Sequence, residues 1–472
     1  MESRVLVSLV ERINSVDPLG VLHALHKAAL RDGGLRQLAA RGCAYWARPS
    51  EGFAIAAIGA AAVLSPSGPE RFASLNNEWS SLLQHAQVDG AVEGVRGIGP
   101  LLVGGFSFDP DGPRTSAWSG FPAAHMIVPE FHVTSVGTDS WLTVSAMVDS
   151  GRSFPTASEI DAVKQNLLGH HLDDDHRESA SGSVVTDDDL PVSEWTRIVA
   201  EAVAVILAGE MQKVVLARSV SGETSDEIDV LGVLRNLQHA NPDAFVYGYW
   251  RGDAAFVGAS PERLVRVENE KISASSLAGT VRRGATPKDD EILARQLQAS
   301  AKDIAEHVAV RDMLHDALSE VADNVTSAIT PDVMRLSNVY HLHTEVTADL
   351  RNGNSLLDVT AKLHPTPAVG GSPRDIALDF IRSREKLDRG WYAAPFGWID
   401  SRGGDLAVAL RSGILRGTEF KLFAGCGIVA DSEPALELAE SSLKLEPMKS
   451  AIAESFPAKG KRDMTLVSRE SA

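Results

Sequence analysis

The segment KVVLARSV, residues 213–220, constrains the fold more than any other stretch of the chain. Five of its eight residues are Val, Leu or Ala, a composition typical of a β-strand packed on a hydrophobic core. A predicted amphipathic helix leads into it, with Trp195 and Ile198 on the apolar face and Gly209 near its end. The strand begins with Lys213, and a lysine buried without a partner is strongly destabilising. Lys213 therefore either marks the exposed end of the strand or serves a site that removes it from water.

Composition and charge limit the class of protein and of partner. The chain has 472 residues, 44% of them hydrophobic and 23% charged, which is typical of a soluble globular protein. Its formal charge of −18 argues against a nucleic-acid backbone or an anionic membrane as partner. An anionic small substrate would need lysine, arginine or a metal to bind. Cys43 and Cys426 allow at most one disulfide, and residues 1–15 lack the apolar core of a secretory signal, so we predict a reduced, cytoplasmic protein.

A polar, acidic segment divides the chain into two unlike halves. Residues 171–191 have almost nothing to bury, which predicts a mobile surface loop. Residues 1–170 contain short strand-like runs separated by Gly and Pro, typical of antiparallel sheet. Residues 192–455 combine strands with long helices, so the predicted class is α+β. Residues 456–472 are predicted to be a disordered tail.

Acidic groups in the second half have spacings that suggest a shared site. Glu437, Glu440 and Lys444 stand at i, i+3 and i+7, so all three point the same way on a helix. A solvated helix face is the alternative, but the apolar strand that precedes these residues would deliver the helix into the interior. A predicted helix over residues 289–321 carries Glu306 among apolar positions, where the carboxylate needs a counter-ion. Carboxylates that converge from two helices are a typical Mg²⁺ site.

Glu262 and two glycine-rich stretches add weaker signals. Glu262 follows a strand and a Ser-Pro turn, from which a carboxylate can enter a cleft or form a surface salt bridge. The stretches SSLAGTVRRG (275–284) and HPTPAVGGSP (364–373) suit a close-fitting anion pocket as well as ordinary tight turns.

Nine motifs in order carry a resemblance to a known family. The chain resembles the chorismate-utilising enzymes, which include anthranilate synthase component I, and it looks most like the isochorismate synthases of menaquinone and siderophore pathways. This resemblance implies a single α+β domain over residues 1–455, in which both halves contribute to two large, mainly antiparallel sheets flanked by helices. The motifs are KVVLARSV, GASPERL, LAGTVRRG, SAKDIAEHVAVRDML, YHLHTEV, LHPTPAVGG, DRGWYAAPFGWID, VALRSG and AGCGIVADSEPALELAESSLKLEPM.

The resemblance also implies roles for individual residues. In the family's reaction, water adds at C2 of chorismate while the C4 hydroxyl leaves, so the site needs a base and an acid. Lys213 matches the general base and Glu262 the general acid. Glu306 and Glu440 match the Mg²⁺ ligands, and Glu437 is expected to hold a metal-bound water. The remaining matches are substrate-binding positions: Arg411 and Tyr392 at the enolpyruvyl carboxylate, Gly279 and Gly425 through backbone contacts, and Thr280, His341, Ala368 and Lys444.

Other enzymes of the family that the chain resembles catalyse different reactions, and these reactions need different residues and partners. Anthranilate and aminodeoxychorismate synthases use ammonia from a glutaminase and lack a lysine matching Lys213, and the latter group places one where this chain has Ala278. We therefore predict water as nucleophile, no glutaminase subunit and a monomer. A salicylate synthase, which also expels pyruvate, is the main alternative, but Ala368 and Tyr392 fit the isochorismate synthases better. A relative that binds chorismate without turnover would not need the acid, base and metal positions.

Overall fold

The computed structural model describes residues 4–29, 33–112, 114–151, 153–168, 184–335 and 339–456. Within these ranges the chain forms strands and helices in nearly equal measure. The strands are β1 (Val5–Ile13), β2 (Cys43–Arg48), β3 (Phe53–Ile58), β4 (Ala62–Leu64), β5 (Gln87–Asp89), β6 (Leu102–Phe106), β7 (Ala124–Val128), β8 (Phe131–Val136), β9 (Asp139–Val148), β10 (Thr186–Asp188), β11 (Lys213–Glu223), β12 (Phe245–Arg251), β13 (Ala254–Ser260), β14 (Arg263–Glu268), β15 (Lys271–Arg282), β16 (Ala322–Ser327), β17 (Asp332–Arg335), β18 (Val339–Leu350), β19 (Gly371–Ser372), β20 (Pro395–Asp400), β21 (Gly403–Val408), β22 (Ser412–Arg416) and β23 (Glu419–Ile428).

Helices flank the strands along the whole chain. The α-helices are α1 (Pro18–Ala29), α2 (Gly33–Arg41), α3 (Arg71–Gln84), α4 (Ala157–Leu168), α5 (Val192–Leu207), α6 (Val230–Ala240), α7 (Pro287–Ala299), α8 (Ala301–Ser319), α9 (Leu356–Leu363), α10 (Arg374–Phe380) and α11 (Pro434–Ala453). Helix α10 continues into a π-helical turn, Ile381–Glu385. None of the helices in the described part of the chain is both long and apolar enough to cross a membrane.

Two large sheets form the core, as the resemblance implied. The first has thirteen strands in the order β10-β11-β23-β22-β13-β12-β2-β3-β8-β9-β1-β5, with β19 beside β11. The second has ten, in the order β16-β18-β15-β14-β21-β20-β6-β7-β4, with β17 beside β18. Among the described strands, only β1 and β5 pair in parallel. Strands from both halves of the sequence enter both sheets, so the predicted α+β class with mainly antiparallel sheets is confirmed.

Buried aromatic residues join the two sheets. Trp46 of β2 and Tyr247 of β12 belong to the first sheet, and their rings lie 6.0 and 4.8 Å from that of Phe396 in β20 of the second sheet. All three side chains are fully buried. Large aromatic side chains bury much apolar surface, so this contact is a strong link between the sheets.

The structure differs from the sequence-based predictions in two segments. The helix predicted over residues 289–321 is two helices, because Ser300 adopts an extended backbone and its side chain accepts a hydrogen bond from the Asp303 amide, which starts α8. Residues 186–188 of the predicted loop form β10, where Asp188 pairs with Arg218 of β11. Residues 171–183 of that loop and residues 457–472 of the predicted tail lie outside the described residues.

Candidate active site

A cavity of about 360 Å³ collects the predicted site residues. Its volume falls within the ~300–1,000 Å³ typical of small-molecule sites. Its walls come from β11, β15, β18, β23, α8 and α11 and from the loops before β14, β19, β20 and β22. Thr280 lies on β15, but its side chain is outside the described part of the structure. The other twelve predicted residues all line the cavity: Lys213, Glu262, Gly279, Glu306, His341, Ala368, Tyr392, Arg411, Gly425, Glu437, Glu440 and Lys444.

The structure decides between the two alternatives for Lys213, an exposed strand end or a site that removes the lysine from water. Its side chain is 11% exposed, so the residue does not mark an exposed strand end. Its Nζ lies 2.5 Å from Oε1 of Glu306 on α8, which supplies the partner that burial requires. The ammonium therefore sits inside the cavity and contacts one of the predicted metal ligands.

Gly427 of β23 gives Lys213 the space that it occupies. A Cβ atom at Gly427 would lie 2.7 Å from Cε and 3.2 Å from Nζ of Lys213. The backbone at Gly427 does not have a positive φ, so alanine would not strain it. The small residue at this position is thus required by the lysine.

We predict that Gly427→Ala displaces Lys213 and lowers turnover while the protein stays folded. A displacement of about 1 Å in a catalytic group can reduce the rate by about 10²-fold. The measurement is the steady-state rate together with the melting temperature. Gly151→Ala is the matched control, because a Cβ there would meet a side-chain oxygen of Asp149 at 3.5 Å, an ordinary contact. Unchanged turnover in Gly427→Ala would contradict a role for the position of Lys213.

Glu262 is a buried carboxyl group. It follows β13, where its amide donates to Oγ of Ser260 at 3.2 Å, and its side chain lies in the cavity wall. The residue is 4% exposed, which rules out the alternative of a surface salt bridge. Burial raises the pKa of Glu262 to about 7, although the charges of Lys213 and Lys444 act to lower it. Near neutral pH this carboxyl can therefore both hold and release a proton.

Helix α11 presents its acidic face to the cavity, as the spacing predicted. Lys444 donates from Nζ to Oε1 of Glu440 at 2.7 Å and to the carbonyl of Gly425 at 3.0 Å. Burial raises the pKa of Glu437, and the nearby Glu440 carboxylate raises it further. These residues form one wall of the cavity, and the alternative of a purely solvated helix face does not hold.

The cavity carries an excess of acidic groups. Its described lining has four cationic side chains, those of Lys213, Arg389, Arg411 and Lys444. It has seven carboxyl groups, those of Glu262, Asp303, Glu306, Asp431, Glu433, Glu437 and Glu440. Oxygen donors in such excess suit a hard divalent cation. In this structure Glu306 and Glu440 contact lysines, and no three Asp, Glu, His or Cys side chains of the described residues are grouped closely enough to hold a metal.

Arg411 is a buried cation that lacks a carboxylate partner. It is 7% exposed and its φ of 46° is in the left-handed region, which is costly for a non-glycine residue. Its guanidinium forms no ion pair with any residue that the structure describes. Burial lowers the pKa of Arg411 to about 10, so it remains charged at neutral pH. A strained backbone that holds an unpaired charge in a cavity is typical of an anion-binding position.

His341 and Gly279 form another part of the cavity wall. Nδ1 of His341 donates to the carbonyl of Gly279 at 3.3 Å, because that oxygen can only accept. Burial, with the charges of Arg411 and Lys444, lowers the pKa of His341 to about 3, so the imidazole is neutral. Gly279 lies at a bulge in β15 with a φ of 72°, and a Cβ there would approach that of Asp303 to 3.0 Å.

Tyr392 and Gly425 lie close together in the wall of the cavity. The Tyr392 ring stacks on Phe423 with centroids 5.5 Å apart. Burial raises the pKa of Tyr392, so its hydroxyl stays protonated and can donate a hydrogen bond. A Cβ at Gly425 would lie 3.1 Å from that hydroxyl. Ala368 lines the cavity nearby.

Sequence reasoning missed the ion pair that supports this site. Arg389 and Glu385, 3% and 2% exposed, are joined at 2.5 Å. Arg389 also donates to the carbonyls of Val215 and Val369, and Glu385 accepts from the amide of Ala217. The pair thus ties β11, which carries Lys213, to the loop that contains Ala368. The i, i+4 spacing of Glu385 and Arg389 was the available signal.

The chain is similar to known enzymes that bind chorismate. A family model described as chorismate binding enzyme matches residues 1–453. The isochorismate synthase MenF of Bacillus subtilis is 34% identical over 456 residues, which are 95% of this chain and 93% of the relative. The salicylate biosynthesis isochorismate synthase of Pseudomonas aeruginosa is 36% identical over 457 residues, or 96% and 91% of the two chains. The solved structure of the menaquinone-specific isochorismate synthase MenF from Escherichia coli has the same fold, with a TM-score of 0.76, 22% identity and coverage of 96% and 95%.

Proposed function

The chain belongs to the chorismate-binding enzyme family, and from that premise we propose that it is an isochorismate synthase, an isomerase that converts chorismate into isochorismate. The observation that carries the proposal is one cavity that holds a lysine, a buried carboxyl with a pKa of about 7 and a buried arginine. The names of the relatives point to menaquinone and salicylate biosynthesis as the pathways that use isochorismate. Product analysis after incubation with chorismate tests the proposal.

Lys213 and Glu262 divide the acid and base chemistry. Water must lose a proton as it adds at C2, and the C4 hydroxyl must gain one as it leaves. Lys213 takes the proton from water as a neutral amine, so it must first lose its own proton and its contact with Glu306. Glu262 gives a proton to the leaving hydroxyl, and its pKa of about 7 keeps a large share of it protonated at neutral pH. The Arg389–Glu385 pair holds the strand from which Lys213 projects.

Positive and neutral donors bind the two carboxylates of chorismate. Arg411 binds the enolpyruvyl carboxylate, which supplies the partner that its guanidinium otherwise lacks. The protonated hydroxyl of Tyr392 donates to the same group, while Gly279 and Gly425 let the substrate approach the backbone. His341 and Lys444, which also line the cavity, make further contacts with the substrate.

We further propose that Glu306 and Glu440 hold Mg²⁺, with Glu437 binding one of its waters. The support is the excess of carboxyl groups in the cavity, to which chorismate adds two more negative charges. The ion would supply charge compensation for the ring carboxylate and Lewis acidity. Glu306 would then no longer be available to Lys213.

Chelation is expected to stop turnover, and added Mg²⁺ to restore it. Glu440→Gln removes one charged oxygen ligand, so we expect the Mg²⁺ concentration for half-maximal rate to rise by about tenfold or more, in line with the loss of affinity that ligand-shell changes cause. Calorimetric titration with Mg²⁺ measures the same loss without turnover. Glu446→Gln, on the same helix and 55% exposed, is the matched control. Full activity in excess chelator would contradict the metal assignment.

The nucleophile bears on whether the enzyme needs a partner subunit, and the cysteines bear on its location in the cell. Because water is the nucleophile, no glutaminase subunit is needed, and we propose that the enzyme acts as a monomer. Cys43 and Cys426 are both free, which supports a reducing compartment, and we propose the cytoplasm. Light scattering of the purified chain tests the first proposal, since a stable dimer would contradict it.

A further inference from the structure

A second cavity, of about 660 Å³, lies away from the active site. Its walls come from α3, α8, α9 and α10 and from the segment after β6. Within the described residues it shares no lining residue with the first cavity. The two are neighbours along one segment, because His364 lines the second cavity and Ala368 the first. Nothing in the proposed reaction uses this space.

Arg71, the first residue of α3, is a buried cation in the wall of the second cavity. It is 3% exposed and donates from Nη2 to the carbonyl of Ser107 at 3.1 Å. Its Nε is buried without a hydrogen-bond partner, and no carboxylate of the described residues forms an ion pair with it. Burial lowers the pKa of Arg71 to about 10, so it is still charged at neutral pH. An unpaired buried charge is destabilising unless a ligand completes it.

Arg374, the first residue of α10, is a second cation in the wall of this cavity and is half-buried. It donates to the carbonyls of Lys362 and Leu363 at 2.7 and 3.3 Å and forms no ion pair with the described residues. Burial also lowers the pKa of Arg374. Burial, together with the charges of Arg71 and Arg374, lowers the pKa of His364, and all three residues line the second cavity.

Carboxylates act on the two arginines without direct contact: the charges of Asp109 and Asp111 act on Arg71 and those of Asp375 and Glu320 on Arg374, but no described residue forms an ion pair with either arginine. Arg382 is paired with Asp109 at 2.6 Å, and Lys362 with Glu320 at 2.5 Å. Glu70 and Asp316, the two remaining acidic side chains of the lining, are exposed and face solvent. The described lining holds four basic and four acidic side chains, but among them Arg71 and Arg374 have no direct carboxylate partner.

Three aromatic rings, those of Phe72, Phe108 and His364, form one part of the wall. The ring of His364 meets those of Phe72 and Phe108 edge-on, with centroids 6.2 and 5.7 Å away. Both phenylalanines are buried, and the Arg71 guanidinium lies over the Phe72 ring at 4.5 Å. Arg71 lies over a face of Phe72 and Arg389 over a face of Phe108, so a ligand would meet the uncovered sides of these rings. Arginine next to aromatic side chains suits a ligand that has both a carboxylate and a flat ring.

We propose that the second cavity binds a small aromatic carboxylate, with its carboxylate at Arg71 and Arg374 and its ring against Phe72 and Phe108. The ring separates this ligand from inorganic phosphate, which offers the arginines charge but leaves the aromatic wall without a partner.

Calorimetric titration of the full chain with benzoate tests the site, with inorganic phosphate as the second probe. We expect saturable benzoate binding that Arg374→Gln weakens at least tenfold and that Arg71→Met also weakens. Arg374 is half-buried, so its variant keeps the test usable if Arg71→Met does not fold. Arg411→Gln, which disables carboxylate binding in the first cavity, should leave benzoate binding unchanged. Arg295→Gln, at a 75% exposed side chain, is the surface control.

Three results would overturn the proposal. The first is the absence of saturable benzoate binding to the folded wild-type chain. The second is binding that Arg411→Gln removes and Arg374→Gln leaves intact, since the ligand would then occupy the active site. The third is phosphate binding as tight as that of benzoate, because the aromatic wall would then contribute nothing. None of these results depends on the turnover of chorismate.

Discussion

Lys213→Met is expected to reduce the conversion of chorismate by about 10²–10⁴-fold, the usual contribution of a general base. Methionine keeps the length and the apolar part of the side chain but cannot accept a proton. The loss should appear in kcat, while the dissociation constant of chorismate changes little, because the base acts in the transition state. Steady-state kinetics and calorimetric binding of chorismate measure the two quantities.

The matched control for Lys213→Met is Lys271→Met. Lys271 lies on β15 and its side chain is 73% exposed, where it pairs with Asp349. This control should keep wild-type turnover. If Lys213→Met retained near-normal turnover with its structure intact, Lys213 would not be the base.

Glu262→Gln is expected to lower turnover by a similar factor, about 10²–10⁴-fold, because glutamine cannot give a proton to the leaving hydroxyl. The pH profile adds a more specific result. Burial raises the pKa of Glu262 to about 7, so the protonated form that acts as acid is lost as pH rises through that value. Wild-type kcat/KM should therefore fall above about pH 7, since this quantity reports groups of the free enzyme.

The residual activity of Glu262→Gln should lack this alkaline fall. Glu419→Gln, at an exposed position of β23, is the control and should keep the wild-type profile. A wild-type profile that stays flat from pH 6 to 9, or a Gln variant with the same alkaline fall, would remove Glu262 from the role of acid.

Much of the candidate site could be predicted from local sequence patterns. The i, i+3, i+7 spacing of Glu437, Glu440 and Lys444 was enough to place three side chains on one helix face, because helix geometry is local. Lys213 and Glu262 stood out because each puts a charge next to an apolar strand. Their catalytic roles were inferred from the family resemblance, which depends on nine motifs in order. No single motif or spacing would have indicated these roles.

Contacts between distant parts of the chain could not be predicted. Lys213 and Glu306 are 93 residues apart, and their contact depends on how β11 and α8 pack. Strand β6 of the divergent first half pairs with β20, nearly 300 residues later, and the pairing leaves no local signal. The break at Ser300 was visible as a capping residue, but the apolar periodicity on both sides favoured one continuous helix.

We propose that isochorismate leaves the active site intact, without loss of pyruvate. Salicylate formation would require the enolpyruvyl side chain to be held where the C2 hydrogen can reach it as the ether bond breaks. Ala368 is a small residue in the cavity wall, and we propose that it leaves that side chain room to relax away from this arrangement.

The direct test is incubation of the purified chain with chorismate and Mg²⁺, without any added lyase. Chromatography follows isochorismate, and a coupled lactate dehydrogenase assay follows pyruvate. We predict that isochorismate accumulates to equilibrium with chorismate and that pyruvate stays at the level of the Lys213→Met control. Pyruvate and fluorescent salicylate formed at the rate of chorismate loss would contradict the account and make the enzyme a salicylate synthase.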